Sequence, residues 1–410
     1  MLIQFTVQNY KSIKNAVTLD LQATAFSEHK NTLLHSPSGE SVLPLSVIYG
    51  PNGGGKSNVL EAIGAMVRKV VVPIYTATHT LYVMPQYNYP PIVPFVFDSS
   101  TKEEPTCFEV FFQTNHAEYR YCLHVKDEKI VYESLDRVKF STKKQSSLFE
   151  RNGTEVQMIG DFRSVKVPKD LSSTMPVLSF LGMTYENDEV VSDVIEWFKN
   201  GIAVYDYGKP QQELWVSIAS SEKARALVLA MMQEMDLDIV DYRTEERPNH
   251  QLAIFTKHKV GDSEIELSLK EESSGTQKIF GLLPQIAICL LFGRTLIIDE
   301  LDAKIHPLLL RYLIGLFSDP EINLRNSQLI FTSHDLSNMT NEVFRRDEIW
   351  FVAKGRDRGS TLYCLADFKT ENGKVRNDAV YAKQYLEGKY GADPYLQRII
   401  NWETVQNASK

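Results

Sequence analysis

The sequence predicts an α/β fold whose mixed sheet is assembled from two separate stretches of chain, and three observations carry the prediction. An apolar run from Val42 to Tyr49 breaks into a glycine-rich turn and then into helical spacing over residues 56–70. Two further apolar runs, Thr295–Ile298 and Gln328–Phe331, end abruptly in polar residues, as short buried strands of a parallel sheet do. Between these halves, from about 90 to 265, alternation of period two dominates, which reads as an α+β insertion. Three segments are therefore expected. Residues 1–90 form the first half of the core, 91–265 an insertion acting as a lid or partner-binding region, and 266–410 the second half.

Size and composition support this. A chain of 410 residues with 43% hydrophobic and 23% charged residues can bury a large core and suits two domains, or one domain with a long insertion. A net charge of −8 argues against coating nucleic acid by bulk electrostatics, although a local basic groove is compatible with it. The four cysteines, Cys107, Cys122, Cys289 and Cys364, show no C-x-x-C spacing, so a reducing compartment is expected rather than a disulfide framework or a zinc site. The start, MLIQFTVQNYKS, alternates like a strand and lacks a signal-peptide layout. No uninterrupted apolar run reaches the roughly 20 residues that span a bilayer. The expectation is a cytoplasmic protein with no membrane partner.

The elements follow in order. Ile3, Phe5 and Val7, then Val17, Leu19 and Leu21, alternate as strands. Val59, Ile63, Met66 or Val67, and Val70 share one face of a helix. TCFEVFFQTNHAEYRYCLHV reads as two strands around a polar turn, and SLFERNGTEVQMIG as a hairpin with Asn-Gly at its tip. NDEVVSDVIEWFKNG and SSEKARALVLAMMQEMD are helical candidates, and neither sustains a coiled-coil heptad.

The turn after the first apolar run is Gly50-Pro51-Asn52-Gly53-Gly54-Gly55-Lys56-Ser57, which fits the phosphate-binding pattern G-x-x-x-x-G-K-[ST] between a strand and a helix. Glycines let successive backbone N–H groups converge on phosphate oxygens, and the helix that follows adds the positive end of its dipole. Asn52, Gly53, Gly54, Gly55, Lys56, Ser57 and Asn58 are the expected ATP contacts. Lys56 would reach the β- and γ-phosphates, and the Ser57 hydroxyl would ligate Mg²⁺.

The strand Thr295–Ile298 ends in Asp299 and Glu300 at the carboxyl edge of the sheet, where ligands of open α/β sheets bind. Asp299 would hold Mg²⁺ through water, and Glu300 would orient or deprotonate the attacking water. The run Gln328–Phe331 leads to His334 at the same edge, placed to sense the γ-phosphate. Upstream, Ser273-Ser274-Gly275-Thr276-Gln277 opens another helix. It is either a plain cap, with Ser274 as the capping residue, or a second anion site serving a ligand presented by another subunit.

P-loop, Ser274-Gly275-x-Gln277, Asp299-Glu300 and His334, in this order, resemble an ABC-type ATPase head. The start Phe5-Thr6-Val7-Gln8-Asn9-Tyr10-Lys11-Ser12-Ile13 resembles the SMC/Rad50/RecF side of that class, and the resemblance implies that Lys11 and Ser12 lie against the nucleotide. The motifs Glu300-Leu301-Asp302-Ala303-Lys304-Ile305-His306-Pro307, Asp347-Glu348-Ile349-Trp350-Phe351-Val352 and Tyr385-Leu386-Glu387-Gly388-Lys389-Tyr390-Gly391-Ala392-Asp393-Pro394 are similar to the RloA/AbiL-like group of AAA family ATPases, which belong to abortive-infection loci. That similarity implies a companion effector encoded nearby, a nuclease or toxin, acting against phage. It further implies a head-to-tail homodimer, with higher oligomers left open. In such a dimer Ser274, Gly275 and Gln277 of one copy contact the ATP of the other, and Asp302 couples the two sites. The nearest glutamine for a Q-loop is Gln86.

The alternative is a RecF-like DNA-binding repair ATPase. Lys143-Lys144, Arg345-Arg346 and Lys354-Gly355-Arg356-Asp357-Arg358 are its candidate contacts, although aromatic interleaving for single strands is weak. Glu103-Glu104 and Glu271-Glu272 read as ordinary exposed pairs rather than a nuclease centre.

Overall fold

The computed structural model describes residues 1–77, 91–205, 218, 221–235, 237–246, 252–370, 373–374 and 380–392. Gln86 and the final Asp393-Pro394 of the C-terminal motif lie outside them. The chain opens with β1 (Leu2–Gln8), β2 (Val17–Asp20), the short pair β3 (Leu34–His35) and β4 (Ser41–Val42), then β5 (Leu45–Tyr49) and α1 (Lys56–Ala77). Next come β6 (Thr106–Gln113), β7 (Ala117–Lys126), β8 (Lys129–Lys139), β9 (Gln145–Asn152) and β10 (Glu155–Met158). Helices α2 (Val177–Thr184) and α3 (Glu189–Glu196) follow, then β11 (Ile202–Tyr205), α4 (Glu222–Glu234), β12 (Ile239–Glu246), β13 (Leu252–Val260) and β14 (Ser263–Ser268). The remainder is α5 (Ser274–Phe292), β15 (Thr295–Ile298), α6 (Pro307–Ser318), β16 (Gln328–Thr332), β17 (Ile349–Lys354), β18 (Ser360–Cys364) and α7 (Tyr381–Leu386).

Two sheets dominate. One has seven strands in the order β10-β9-β8-β7-β6-β1-β2 and is antiparallel throughout. The other has six, in the order β11-β15-β16-β5-β17-β18, parallel except at β18. Segment 91–265 contributes to both, through β6–β10 and through β11. The β9–β10 hairpin turns on Gly153-Thr154, with Asn152 paired to Glu155, and Gly153 takes φ 59°. The tip thus sits one residue beyond the Asn-Gly dipeptide.

Every residue of β5 is buried, because its side chains alternate between two cores. Ile48 joins Ile297, Ile330 and Val352 against α1–α3 and the seven-stranded sheet. Val47 and Tyr49 join Ile298 and Phe331 against α4–α7. The side chain of Gln328 ties the two sheets together. Its Oε1 accepts from Leu2 N at 2.7 Å and Thr295 Oγ1 at 2.9 Å, and its Nε2 donates to Leu2 O at 2.9 Å. Among the described residues one helix, α5, is long and apolar enough to cross a membrane by length and composition, and most of it is buried within the second core.

The pair Arg345-Arg346 does not form a DNA-facing surface. Arg345 is fully buried and donates to both oxygens of Asp347, at 2.9 and 2.8 Å, while Arg346 pairs with Glu28 at 2.8 Å. A buried guanidinium requires a carboxylate to offset its desolvation, and these acids fasten residues 24–28 to the start of β17. Lys143-Lys144 and Lys354–Arg358 are exposed turns.

Glu133 lies fully buried where α2 begins, accepting from Val177 N at 2.7 Å, Leu178 N at 2.9 Å and Tyr121 OH at 3.0 Å. Burial pushes its pKa up to about 7, against these hydrogen bonds and Arg151. A carboxyl raised in the folded state contributes stability fully below its unfolded value near 4.5 and loses it as pH rises through about 7. Unfolding free energy should therefore fall by about 3 kcal/mol across that window from this group. Urea titrations of wild type and Glu133→Gln at several pH values would test it, since the variant should lack this part of the slope.

Candidate nucleotide site

The strand order β15-β16-β5 brings three motifs to one edge of the six-stranded sheet. β5 delivers the P-loop, β16 delivers His334, and β15 delivers Asp299 and Glu300. All three strands run parallel, so their carboxyl ends coincide.

Backbone demands account for the glycines. Gly50 takes φ 152° and Gly55 φ 107°, both outside the range comfortable for other residues. A Cβ on Gly50 would strike Val352 O of β17, and one on Gly55 would strike the hydroxyls of Ser360 and Ser12. Lys56 begins α1 and is buried, with its ammonium donating to Gly50 O at 2.9 Å and Pro51 O at 3.2 Å. Burial lowers its pKa, while the charges of Asp299, Glu300 and Asp302 act in the opposite sense. Asn52 and Gly53 are exposed at the rim of the loop.

Ser12, Asn58 and Ser360 lace the loop from behind. Asn58 Nδ2 donates to Ser12 Oγ at 2.6 Å, and Ser360 Oγ lies 2.7 Å from Ser12 Oγ and donates to Gly54 O at 2.6 Å. Ser360 escaped the sequence reading, since a serine at the start of a strand 306 positions from its partner carries no local signal. Lys11, with φ 48°, pairs its ammonium with Glu61 on α1.

Thr332, the last residue of β16, holds both candidate acids. Its hydroxyl donates to Asp299 Oδ1 at 2.5 Å and accepts from Glu300 N at 2.7 Å. Glu300 occupies the left-handed region at φ 49°, a conformation that persists where surrounding bonds over-determine it. Asp302 accepts from His334 N at 3.1 Å, so the acid turn and the histidine loop are joined. Thr332→Val keeps a β-branched residue in the strand and removes the clamp. It should lower ATP turnover roughly 10- to 100-fold and raise the Mg²⁺ concentration needed for half-maximal rate. Thr332→Ser should restore both, and the check is a Mg²⁺ titration of steady-state rate.

The helix start at 273–277 packs against the acid turn, with Gly275 close to Lys304 O and Lys278 donating to Glu300 O. Ser273, not Ser274, is the cap, its Oγ accepting from Thr276 N at 3.1 Å. The neighbouring Glu272 carboxylate already accepts from Thr256 and His258, so the chain turns one residue before Ser274. Glu272 is thereby an anchored acid rather than an exposed one. Ser274 is exposed, and Gln277 folds back onto Glu272 O at 2.7 Å. Among the described residues no hydrogen bond joins Ser274, Gly275 or Gln277 to the P-loop of the same chain.

The residues fit a nucleoside triphosphate with Mg²⁺. A glycine-forced cradle, a buried lysine, a helix start with the Ser57 hydroxyl and the strand-end Asp299 form an oxygen donor set suited to Mg²⁺, which keeps several waters and phosphate oxygens of its own.

Comparison with known proteins gives both similar structures and a family. Similar solved structures include the SMC head domain from Thermotoga maritima, at 14% identity and TM-score 0.41 over 88% of this chain and 98% of that one. Others are an Smc head bound to the C-winged helix domain of ScpA, at 13% identity, TM-score 0.41 and coverage of 88% and 97%, and an Smc head with an extended coiled coil bound to a ScpA C-terminal domain from Pyrococcus furiosus, at 12%, 0.41, 88% and 96%. No curated protein matches the sequence. A family model described as "AAA domain, putative AbiEii toxin, Type IV TA system" matches residues 45–339, from the P-loop strand to beyond His334. With well over half of its length so matched, this chain, a P-loop α/β protein, belongs to that AAA family.

Proposed function

We propose that the protein binds and hydrolyses ATP as a switch, closing into a head-to-tail homodimer with ATP bound, and that the switch controls a companion effector in anti-phage defence. The observation that carries the ATPase reading is the gathering of Lys56, Asp299, Glu300 and Asp302 at the mouth of a P-loop. Lys56 balances the phosphates, and Glu300, held by Thr332 and exposed to solvent, takes the proton from the attacking water. His334 stands at the end of the strand between the P-loop and the acids, placed to touch the γ-phosphate. Mg²⁺, held by Ser57 and Asp299, would neutralise charge on the phosphates.

The Ser274–Gln277 edge supports the dimer, since it is a helix start with phosphate-binding chemistry that makes no hydrogen bond to the P-loop of its own chain among the described residues. Membership of a family described by a toxin–antitoxin system supports the effector, and segment 91–265 is the part we assign to reporting the nucleotide state. The burial of Arg345 and the pairing of half-buried Arg346 with Glu28 weigh against the DNA-repair alternative.

Ser274→Arg tests the arrangement. It should leave ATP binding by the separate chain within about twofold while reducing ATP-dependent dimer formation at least about tenfold, a change of ~1.4 kcal/mol. Sedimentation with ATP and Mg²⁺ in the Glu300→Gln background would measure it, and an unaltered dimer would refute the trans contact.

A further inference from the structure

The small sheet β12-β13-β14 has two unlike edges. At β12, α4 packs alongside, with Arg225 donating to Tyr242 O at 2.9 Å. β14 pairs with β13 and, among the described residues, with no other strand. It also lacks the usual guards of an edge, since its six residues run in unbroken register with β13 and include no bulge, proline or lysine. Its two faces differ in chemistry. Ile265 and Leu267 stand opposite His258 and Thr256, on the face where Tyr242 and Ile254 enter the second core, yet they remain 47% and 37% exposed. Glu264 and Glu266 occupy the other face, opposite Lys259 and Lys257. Glu264 is the barer of the two, with its nearest cation, Lys257, 3.9 Å away.

We propose that β14 is a docking edge for an extended segment of a partner protein, one that alternates apolar and basic residues. The open edge fixes the shape of the occupant, because a row of strand N–H and C=O groups is met by another extended backbone. Pleating then fixes its sequence. Residues set opposite Ile265 and Leu267 extend an apolar face, while those set opposite Glu264 and Glu266 meet carboxylates. Opposite charges facing each other across a strand pair attract, and like charges repel. The flanks carry the same sign, since Asp262 and Glu271 are exposed and Lys270 is the one base between 262 and 272. The same rule excludes a second copy. In the antiparallel registers that set Ile265 against Ile265 or against Leu267, Glu264 falls opposite Glu266 or Glu266 opposite its own equivalent. Docking at β14 requires neither ATP nor the head-to-tail dimer.

The test uses the full chain and three fluorescein-labelled peptides: one alternating lysine and valine, one alternating glutamate and valine, and one with the composition of the first but its lysines in a single block. Fluorescence anisotropy measures binding, and amide hydrogen exchange locates it. The alternating basic peptide should bind one to one, at least about tenfold more tightly than either control, and should protect the amides of residues 263–268. Ile265→Asp and Glu264→Lys should each weaken it by about tenfold or more, and both variants, altered only at exposed side chains, should hydrolyse ATP at the wild-type rate. Equal binding of the block peptide would reduce the effect to bulk charge and overturn the proposal. Absence of saturable binding, or protection that falls outside β14, would overturn it as well. A wild type that dimerises without ATP, and stops doing so as Ile265→Asp, would assign the edge to a second copy instead.

Discussion

Glu300→Gln should reduce ATP hydrolysis by about 10²- to 10⁴-fold, the usual worth of a general base, while nucleotide remains bound. The amide keeps the size of the side chain, and the backbone bonds that place the residue, from Thr332 Oγ1 and Lys278 Nζ, do not involve the carboxylate. What is lost is the proton acceptor. ATP should then persist where wild type would turn it over, and a dimer closed by ATP should accumulate. Single-turnover hydrolysis together with size-exclusion chromatography would check both halves. A wild-type rate would move the base elsewhere, and slow hydrolysis without dimer would separate the chemistry from the assembly.

Lys56→Ala should abolish measurable ATP binding, with at least about a hundredfold loss of affinity, because charged hydrogen bonds are worth ~1.5–3 kcal/mol each and this ammonium would make more than one. A second effect adds to the first. Lys56 is a buried cation that feels Asp299, Glu300 and Asp302, so its removal leaves these acids with less opposing charge beside an incoming tetra-anion. Isothermal titration with ATP and Mg²⁺ measures the loss, and binding within tenfold of wild type would sink the phosphate assignment. Thermal stability need not fall, since an apolar residue in place of a buried ammonium also removes a desolvation penalty.

Legibility in the sequence followed the range of the interactions. The P-loop could be read because its glycines answer to local backbone geometry, Gly50 and Gly55 most clearly. Asp299-Glu300 and His334 could be read because an apolar strand that stops at polar residues marks a sheet edge. Ser360, Thr332 and Lys278 could not. Their functional groups face partners 306, 32 and 22 residues away, and an isolated serine, threonine or lysine is ambiguous without its partner. Arg346 misled for the same reason, as Glu28 lies 318 positions away, whereas the partner of Arg345, Asp347, is only two residues on. β11, only four residues long, carried too little pattern to be placed in the six-stranded sheet ahead of the fold. Ser273 and Ser274 are equivalent as caps in the sequence, and in the fold Ser273 takes the role beside Glu272, which Thr256 and His258 tie down.

The central position of β5 has a consequence for how the protein is made. Its neighbours on either side, β16 and β17, are synthesised almost 300 residues after it. At about 5–20 residues per second a ribosome takes ~15–60 s to supply them. Through that interval Leu-Ser-Val-Ile-Tyr is an apolar segment with both edges unpaired, the kind of surface that recruits a chaperone or another nascent chain. The phosphate cradle is thus among the last parts of the molecule to mature, and a chain released before residue 328 would carry the whole glycine motif with no sheet to hold it in shape.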